Sequence, residues 1–338
     1  MSSSEKKLDP RIGLDVGTSR IVMARRVDNE IEYRSQLNAF VRIPASPLTA
    51  SVLKKEGIPH TMDGSDVIVY GDHAEKFANI FHVETRRPMQ QGALNPNEPD
   101  GPAVIREIIS ILIGGKNAHP GEKLCVGMPG LPIGTGEDLT FHESVVRQIV
   151  ADFGYEVSTI NEGLAVVYSD LAESNYTGIG VSCGGGMCNV CLSYLSVPVV
   201  SFSISQAGDF VDANTAAATG EVATRIRMFK ERDFSFNGAN GASGDKIHRA
   251  LTIYYDEVIR HLVTAMNRAF SDTRALPQLD RPVPVVLSGG TSIPRGFRER
   301  FEKALKQSAF PVPVSEVLLA ADPLHSTAKG ALVSLLAE

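Results

Sequence analysis

The sequence lacks any apolar run of the roughly 18 residues that a membrane-spanning helix requires. Its first ten residues form a polar, charged tail with no apolar core and no amphipathic stripe. Neither a signal peptide nor a membrane-anchoring helix is therefore expected, and the chain is expected in the cytoplasm. A long basic block is also missing. With a net charge of −6, there is no electrostatic footprint for direct binding to DNA or RNA. Cysteine is scarce: Cys125, Cys183, Cys188 and Cys191 are too few, in 338 residues, for a disulfide framework. Cys188 and Cys191 have a C-x-x-C spacing, but no partner Cys or His pair stands at the distance a four-ligand zinc site needs. They read as small apolar fillers of a buried hairpin. No HExxH or other metal pattern appears among the histidines.

What the chain has is enough apolar content, 43%, to give each of two ordinary domains a core. It also has two glycine-bearing turns of similar design, Asp15-Val16-Gly17-Thr18-Ser19 and Ser182-Cys183-Gly184-Gly185-Gly186-Met187-Cys188-Asn189. Both are flanked by apolar, β-branched runs, so each predicts a hairpin whose tip offers close-approaching backbone N–H groups. A duplicated hairpin of this kind suggests two related lobes gripping one polyphosphate.

The spacing around the turns is repeated. Ile12, Leu14 and Val16 alternate, followed by Ile21 and Met23 and then Ile31 and Tyr33, which predicts a small antiparallel meander. Residues 34 to about 100 are less regular, with a short strand at 67–70 and a helix near 74–80, and read as an inserted subdomain. After a loop at 92–102, the pattern predicts a helix over 103–113, a strand over 123–128 with a tight exit at Gly127-Met128-Pro129-Gly130, a helix over 143–152, a strand over 157–160 and a helix over 163–171. The second half repeats the order with a hairpin over 178–195, a strand over 199–205, a helical stretch over 222–232 and a soft loop at 237–244. Ile247, Leu251, Tyr254, Val258, Leu262, Met266 and Phe270 then form the apolar stripe of a long helix. A buried-type strand over 282–287 ends in Ser288-Gly289-Gly290-Thr291, and a helix follows over 296–307. The offset from Asp15 to Ser182 is 167 residues, and from Gly127 to Gly289 it is 162. Duplication of an α/β lobe accounts for both.

Five stretches, in order over nearly the whole chain, resemble the actin, hexokinase and heat-shock-chaperone ATPase superfamily. Asp15 to Thr18 resembles its first phosphate loop and Ser182 to Asn189 its second. Asn161-Glu162-Gly163-Leu164-Ala165 resembles the first connecting helix, Leu287-Ser288-Gly289-Gly290 the adenosine loop, and Ser326-Thr327-Ala328-Lys329-Gly330-Ala331 the second connecting helix. Within that superfamily, Gln206 to Asp212 and Lys230-Glu231 followed by Phe234-Ser235-Phe236 resemble bacterial actin-like filament proteins of the MreB and MamK type.

The resemblance implies an α/β fold of two duplicated actin-like (ribonuclease H-like) lobes with mixed sheets, inserted subdomains and a nucleotide in the cleft between them. The first lobe would span 11–171, with its insertion at about 34–100, and the second 172–325, with its insertion at about 208–275. A connecting helix, 326–338, would pack back on the first lobe. Ala165 and Gly330 would let the two connecting helices cross closely and act as a hinge.

Residue roles follow from the same resemblance. Asp15 would hold water coordinated to Mg²⁺. Gly17, Thr18, Ser19, Ser182, Gly184, Gly185 and Gly186 would face the phosphates of ATP or ADP, and Gly208, Asp209, Gly289 and Gly290 would let backbone approach ribose and phosphates. Lys230 and Glu231 would contact the adenine and ribose side. Glu162 would orient or activate the attacking water, although a glutamate at a helix start is also favoured by the helix dipole.

The second loop departs from the family pattern, which has Asp at the position of Ser182, Thr at Met187 and Cys188, and Asp at Asn189. A serine brings no charge to Mg²⁺, so hydrolysis is expected to be slow, with its complete absence an open alternative. The functional expectation is an ATP-binding protein that polymerises with itself, head to tail. A non-polymerising nucleotide-binding scaffold is the alternative. A chaperone is disfavoured because no substrate-binding domain follows residue 338, and a sugar or acetate kinase because no acceptor motif is present. Adaptor partners and cargo are left open.

Overall fold

Alternation along the first strand buries Ile12, Leu14 and Val16 on one face, while the next strand also buries Val22 and Ala24 on the opposite face. A sheet whose central strands are covered on both sides needs helices on both sides, and the chain supplies them. A computed structural model of the protein describes residues 8–115, 118–134, 139–236, 246–271, 276–277 and 279–337. In the first half run β1 (Leu8–Val16), β2 (Arg20–Val27), β3 (Glu30–Leu37), β4 (Phe40–Pro44), α1 (Pro47–Lys55), β5 (His60–Asp63), β6 (Asp66–Tyr70), α2 (Asp72–Phe81), β7 (Met89–Gln90), β8 (Ala93–Leu94), α3 (Gly101–Ile113), β9 (Lys123–Met128), α4 (Thr140–Ala151), β10 (Glu156–Asn161) and α5 (Glu162–Asp170). The second half runs β11 (Gly178–Cys183), β12 (Cys188–Tyr194), β13 (Val197–Ile204), α6 (Gly208–Thr219), α7 (Ala223–Arg232), α8 (Lys246–Phe270), β14 (Val283–Ser288), α9 (Phe297–Gln307), β15 (Val314–Leu319) and α10 (Ser326–Leu336).

Each half builds one five-stranded mixed sheet, and the two sheets have the same topology. The orders are β3-β2-β1-β9-β10 and β13-β12-β11-β14-β15. In each, an antiparallel three-strand meander joins two parallel strands through its first member. Equivalent positions face equivalent partners: Asp15 lies opposite Gly127 in the parallel register, and Ser182 lies opposite Ser288. The fold is thus the duplicated α/β architecture expected from the sequence.

Insertions sit on this frame. β3 continues in the main sheet to Leu37, and a small sheet, β4-β6-β5, starts at Phe40 with a core of its own around Leu53, Val67 and Val69. In the second half α6 is a helix that the sequence reading left unassigned. It opens on Gly208 without a side-chain cap, so it carries no start signal of the usual kind. The long helix α8 buries Tyr255 fully and leaves Tyr254 partly exposed, shifting the expected stripe by one residue. Both positions fit a 3.6-residue period after Leu251, and packing against Phe234 and Phe297 selects Tyr255. The soft loop expected at 237–244 lies outside the described residues.

The connecting helices α5 and α10 cross where a Cβ on Gly330 would stand 1.8 Å from the Ala165 carbonyl oxygen. Any side chain there would separate the helices, which join the two lobes. All four cysteines are buried and outside any disulfide, three of them in the β11–β12 hairpin. Among the described residues no helix is long and apolar enough to cross a membrane.

Candidate functional site

The two glycine hairpins meet tip to tip across the cleft between the lobes. In the first, Gly17 N–H donates to the Arg20 carbonyl at 3.0 Å. The buried Asn38 braces that turn by donating its side-chain amide to the Gly17 carbonyl at 2.9 Å and its backbone N–H to the Ser19 carbonyl at 2.9 Å. In the second, Gly184 N–H closes the turn on the Met187 carbonyl at 2.9 Å. A Cβ on Gly185 would stand 2.3 Å from Ser19 Oγ, and one on Gly186 would stand 2.3 Å from Gly92 N and 2.4 Å from Thr18 Oγ1. A side chain on Gly186 would run into backbone of the first lobe, and one on Gly185 would require Ser19 to turn its hydroxyl away.

Below the tips lies a pair of carboxylates. Asp15 lies near the end of β1, on the face opposite Ile12, Leu14 and Val16, and Glu162 is the first residue of α5, whose cap is Asn161. Both are enclosed by protein and open only to the cleft. Burial pushes the Asp15 carboxyl well above its usual range. Burial raises Glu162 as well, and the neighbouring charge of Asp15 adds to the effect. Hydrogen bonds pull the other way: Asn189 Nδ2 donates to Glu162 Oε2 at 2.8 Å, and Ser182 Oγ donates to the same oxygen at 3.4 Å. Asn189 is itself fixed, because its Oδ1 accepts the Gly130 N–H at 2.8 Å. The amide thus orients one carboxylate oxygen of Glu162.

The wall from the second lobe is built by backbone. Asp209 N–H donates to the Gly185 carbonyl at 2.8 Å and Gly208 N–H to the Gly184 carbonyl at 3.2 Å, while Thr291 Oγ1 donates to the Gly184 carbonyl at 2.7 Å. Gly289 has a φ of +85°, and a Cβ there would stand 2.2 Å from the Cys183 carbonyl oxygen. Glycine is required on both counts. The cleft has a volume of about 1190 Å³, and its lining includes the apolar Phe234, Ile293, Pro294 and Leu324.

Of the residues singled out from sequence, Asp15, Gly17, Thr18, Ser19, Glu162, Ser182, Gly184, Gly185, Gly186, Asp209, Lys230, Glu231, Gly289 and Gly290 all line this one cleft. Gly208 stands behind the wall, against Thr291 and Gly184. The Lys230 ammonium is committed within its own lobe, donating to Asp212 Oδ2 at 2.8 Å and to the Gly208 carbonyl at 3.2 Å. Even with that partner, burial pushes the Asp212 carboxyl up to about 6.

A family model described as Volactin matches residues 11–334. The chain belongs to the volactin family. No curated protein matches it. Among solved structures, the MamK double helical filament has a TM-score of 0.69 at 19% identity, with 97% of this chain and 98% of that chain covered. MreB5 of Spiroplasma citri bound to ADP has a TM-score of 0.63 at 14% identity, covering 95% and 94%. The ethanolamine utilization protein EutJ from Carboxydothermus hydrogenoformans has a TM-score of 0.54 at 17% identity, covering 95% and 88%. At these identities the likeness is one of fold, and that fold is actin-like, as in the MreB and MamK structures.

Three residues in or behind the cleft carry little or no signal in the sequence. Asn38, a buried polar residue between Leu37 and Ala39, had a readable signal in its apolar surroundings. Arg87 and Arg227 had none. Arg227 pairs across the cleft mouth with Glu75 of the first insertion, and Arg87 reaches the first hairpin and Asp209 of α6, contacts that only the three-dimensional fold creates.

Proposed function

We propose that this chain binds Mg·ATP between its lobes, assembles head to tail with copies of itself into filaments, and hydrolyses ATP slowly. The observation that carries the reading is the meeting of two glycine tips over a carboxylate pair. Backbone N–H groups and hydroxyls of such tips suit phosphate oxygens. The donor set suits Mg²⁺ too, since this ion is commonly held by one or two carboxylates together with waters and phosphate oxygens. Asp15 would hold the ion through water, supplying a fixed negative charge, and Glu162, steadied by Asn189, would hold the attacking water. The volume and the apolar side chains in its lining suit a nucleoside. Support for assembly comes from the kinship with proteins whose structures include the MamK double helical filament. Nucleotide complexes of MreB5 with ADP and AMPPNP support the ligand class.

Sedimentation and negative-stain microscopy of the purified chain with Mg·ATP, with Mg·ADP and without nucleotide test the proposal. Filaments that depend on ATP are expected. A chain that binds ATP and stays monomeric in all three conditions rejects the polymer.

One observation favours the second reading, a nucleotide-binding scaffold without turnover. Met187 is buried, 3% exposed, and packs so closely on Gly92 that a Cβ there would stand 2.5 Å from Met187 Cγ. An apolar side chain thus occupies a phosphate-loop position where relatives of the resembled type have a hydroxyl. Phosphate release indistinguishable from a protein-free control, with ATP binding intact, selects this reading.

A further inference from the structure

Arg87 stands where the two hairpins meet. Its Nη1 is 3.3 Å from Ser19 Oγ and 3.5 Å from the Thr18 carbonyl of the first lobe, and 3.8 Å from Asp209 Oδ1 of the second. These are long, loose contacts. Its backbone, by contrast, is pinned. Arg86 exchanges both backbone hydrogen bonds with Phe40, at 2.9 and 2.8 Å, and turns its guanidinium to Glu98. Asn95 donates its side-chain amide to the Arg87 carbonyl at 3.2 Å, and Pro88 follows in the chain. A few residues on, Gly92 N–H donates to Thr18 Oγ1 at 3.0 Å. The segment is tied to the first hairpin, and its guanidinium projects into the cleft with only partial neutralisation.

Other cleft cations among the described residues are placed differently. Lys230 is held by Asp212, Arg227 by Glu75 and Arg20 by Asp72. Arg232 and Arg295 are exposed and belong to the second lobe. A guanidinium with a fixed backbone and loosely engaged donors, beside backbone N–H groups and hydroxyls, is suited to an incoming phosphate, which it can bind through its planar fork.

Resting on the nucleotide reading above, we propose that Arg87 reads the terminal phosphate of a bound nucleoside triphosphate and ties it to closure of the first insertion on the second lobe. The guanidinium lies at the tips of the hairpins, bridging from Ser19 toward Asp209, and a terminal phosphate attacked by water on Glu162 would come to rest between it and the carboxylates beneath. A diphosphate would leave it with Ser19 and Asp209 only, and the triphosphate would draw it, with its pinned segment, onto the ligand.

Calorimetric titration with Mg·AMPPNP and with Mg·ADP tests the assignment on wild type, Arg87→Gln and Arg87→Lys, with melting of the unliganded proteins as a check on folding. Loss of a charge-assisted contact predicts that Arg87→Gln weakens AMPPNP binding about 10- to 100-fold, while ADP binding changes less than about threefold. Arg87→Lys, which keeps the charge without the fork, is expected to lose about three- to tenfold for AMPPNP alone. Equal losses for both nucleotides, or no loss for either, in whichever variant folds, overturn the assignment and leave the nucleotide site standing. Wild-type protein that binds neither nucleotide overturns the nucleotide reading, and the role of Arg87 with it.

Discussion

The β1–β2 and β11–β12 hairpins have the same backbone design and opposite chemistry. Each opens a three-strand meander, pairs in parallel with a strand that ends in a glycine-bearing exit, and points its tip into the cleft. The first carries a carboxylate, Asp15, where the second carries Ser182. The first has Thr18 and Ser19 at its tip, and the second has three glycines and Met187. What separates them is the neighbour of the second hairpin: Glu162 lies within hydrogen-bond reach of both Ser182 and Asn189. A carboxylate at 182 would be the third in one enclosed space, beside two whose ionisation is already disfavoured. Duplication supplied the frame, and electrostatic crowding explains how unequal side chains can be tolerated within it. The first hairpin brings charge, and the second brings neutral donors and close backbone.

Steric closeness gives the sharpest contrast. A Cβ at Gly186 meets three atoms within 2.9 Å, two of them backbone, whereas one at Gly17 meets only the Arg20 carbonyl, at 2.9 Å, and Asp15 Oδ1, at 3.7 Å. Gly186→Ala is therefore expected to cost about 3 kcal/mol and Gly17→Ala about 1 kcal/mol in urea unfolding, within the range for overpacking. Equal costs would mean that the hairpins are equally constrained, and the lobe contact at Gly186 would lose its importance.

Charge crowding gives the next effect. Ser182→Asp places an anion against Glu162, and the unliganded protein should lose about 2 kcal/mol at pH 8. The loss should shrink at pH 5, where carboxyls in this space hold their protons. A variant as stable as wild type at pH 8 breaks the account of why the second hairpin is neutral. If Mg²⁺ and nucleotide then restore stability and turnover rises, Ser182 limits hydrolysis.

The smallest effect concerns the native carboxylate pair. Asp15 and Glu162 titrate higher when folded than when unfolded, so the native state binds more protons between their ordinary values and their raised ones. Stability contributed by these groups is therefore greatest in mild acid and falls as pH rises through the raised values toward neutrality and beyond. Because both groups face the cleft, solvent moderates the effect. Glu162→Gln should raise stability of the unliganded chain by about 1 kcal/mol at pH 8.5 and by less at pH 5. Thermal melts across that pH range measure it, and a stability gain that is the same at both pH values breaks the assignment of repulsion to this pair.

Much of this molecule is local in origin. Alternation of Ile12, Leu14 and Val16 defines β1 because a strand has a period of two, and the stripe from Leu251 to Phe270 defines α8 because a helix has a period of 3.6. Glycines with flanking β-branched runs marked both hairpins, since a turn leaves its chemistry in consecutive residues. Where local signals are absent or degenerate, consecutive residues do not define the element. α6 lacks a capping side chain at its start, and only packing decides between Tyr254 and Tyr255.

The sequence by itself determined that there are two related lobes, which residues form their glycine tips, and which carboxylates stand near them, because each of these is written within a few residues of chain. The tertiary structure alone decided that Gly185 meets Ser19, that Asn189 holds Glu162, that Lys230 is taken up by Asp212, and that Arg87 and Arg227 reach across to the other lobe. Those pairs are separated by 18 to 166 residues of sequence and carry no periodicity. Their meeting depends on where whole sheets and helices come to rest and, for the pairs that span the lobes, on the close crossing of Gly330 over Ala165.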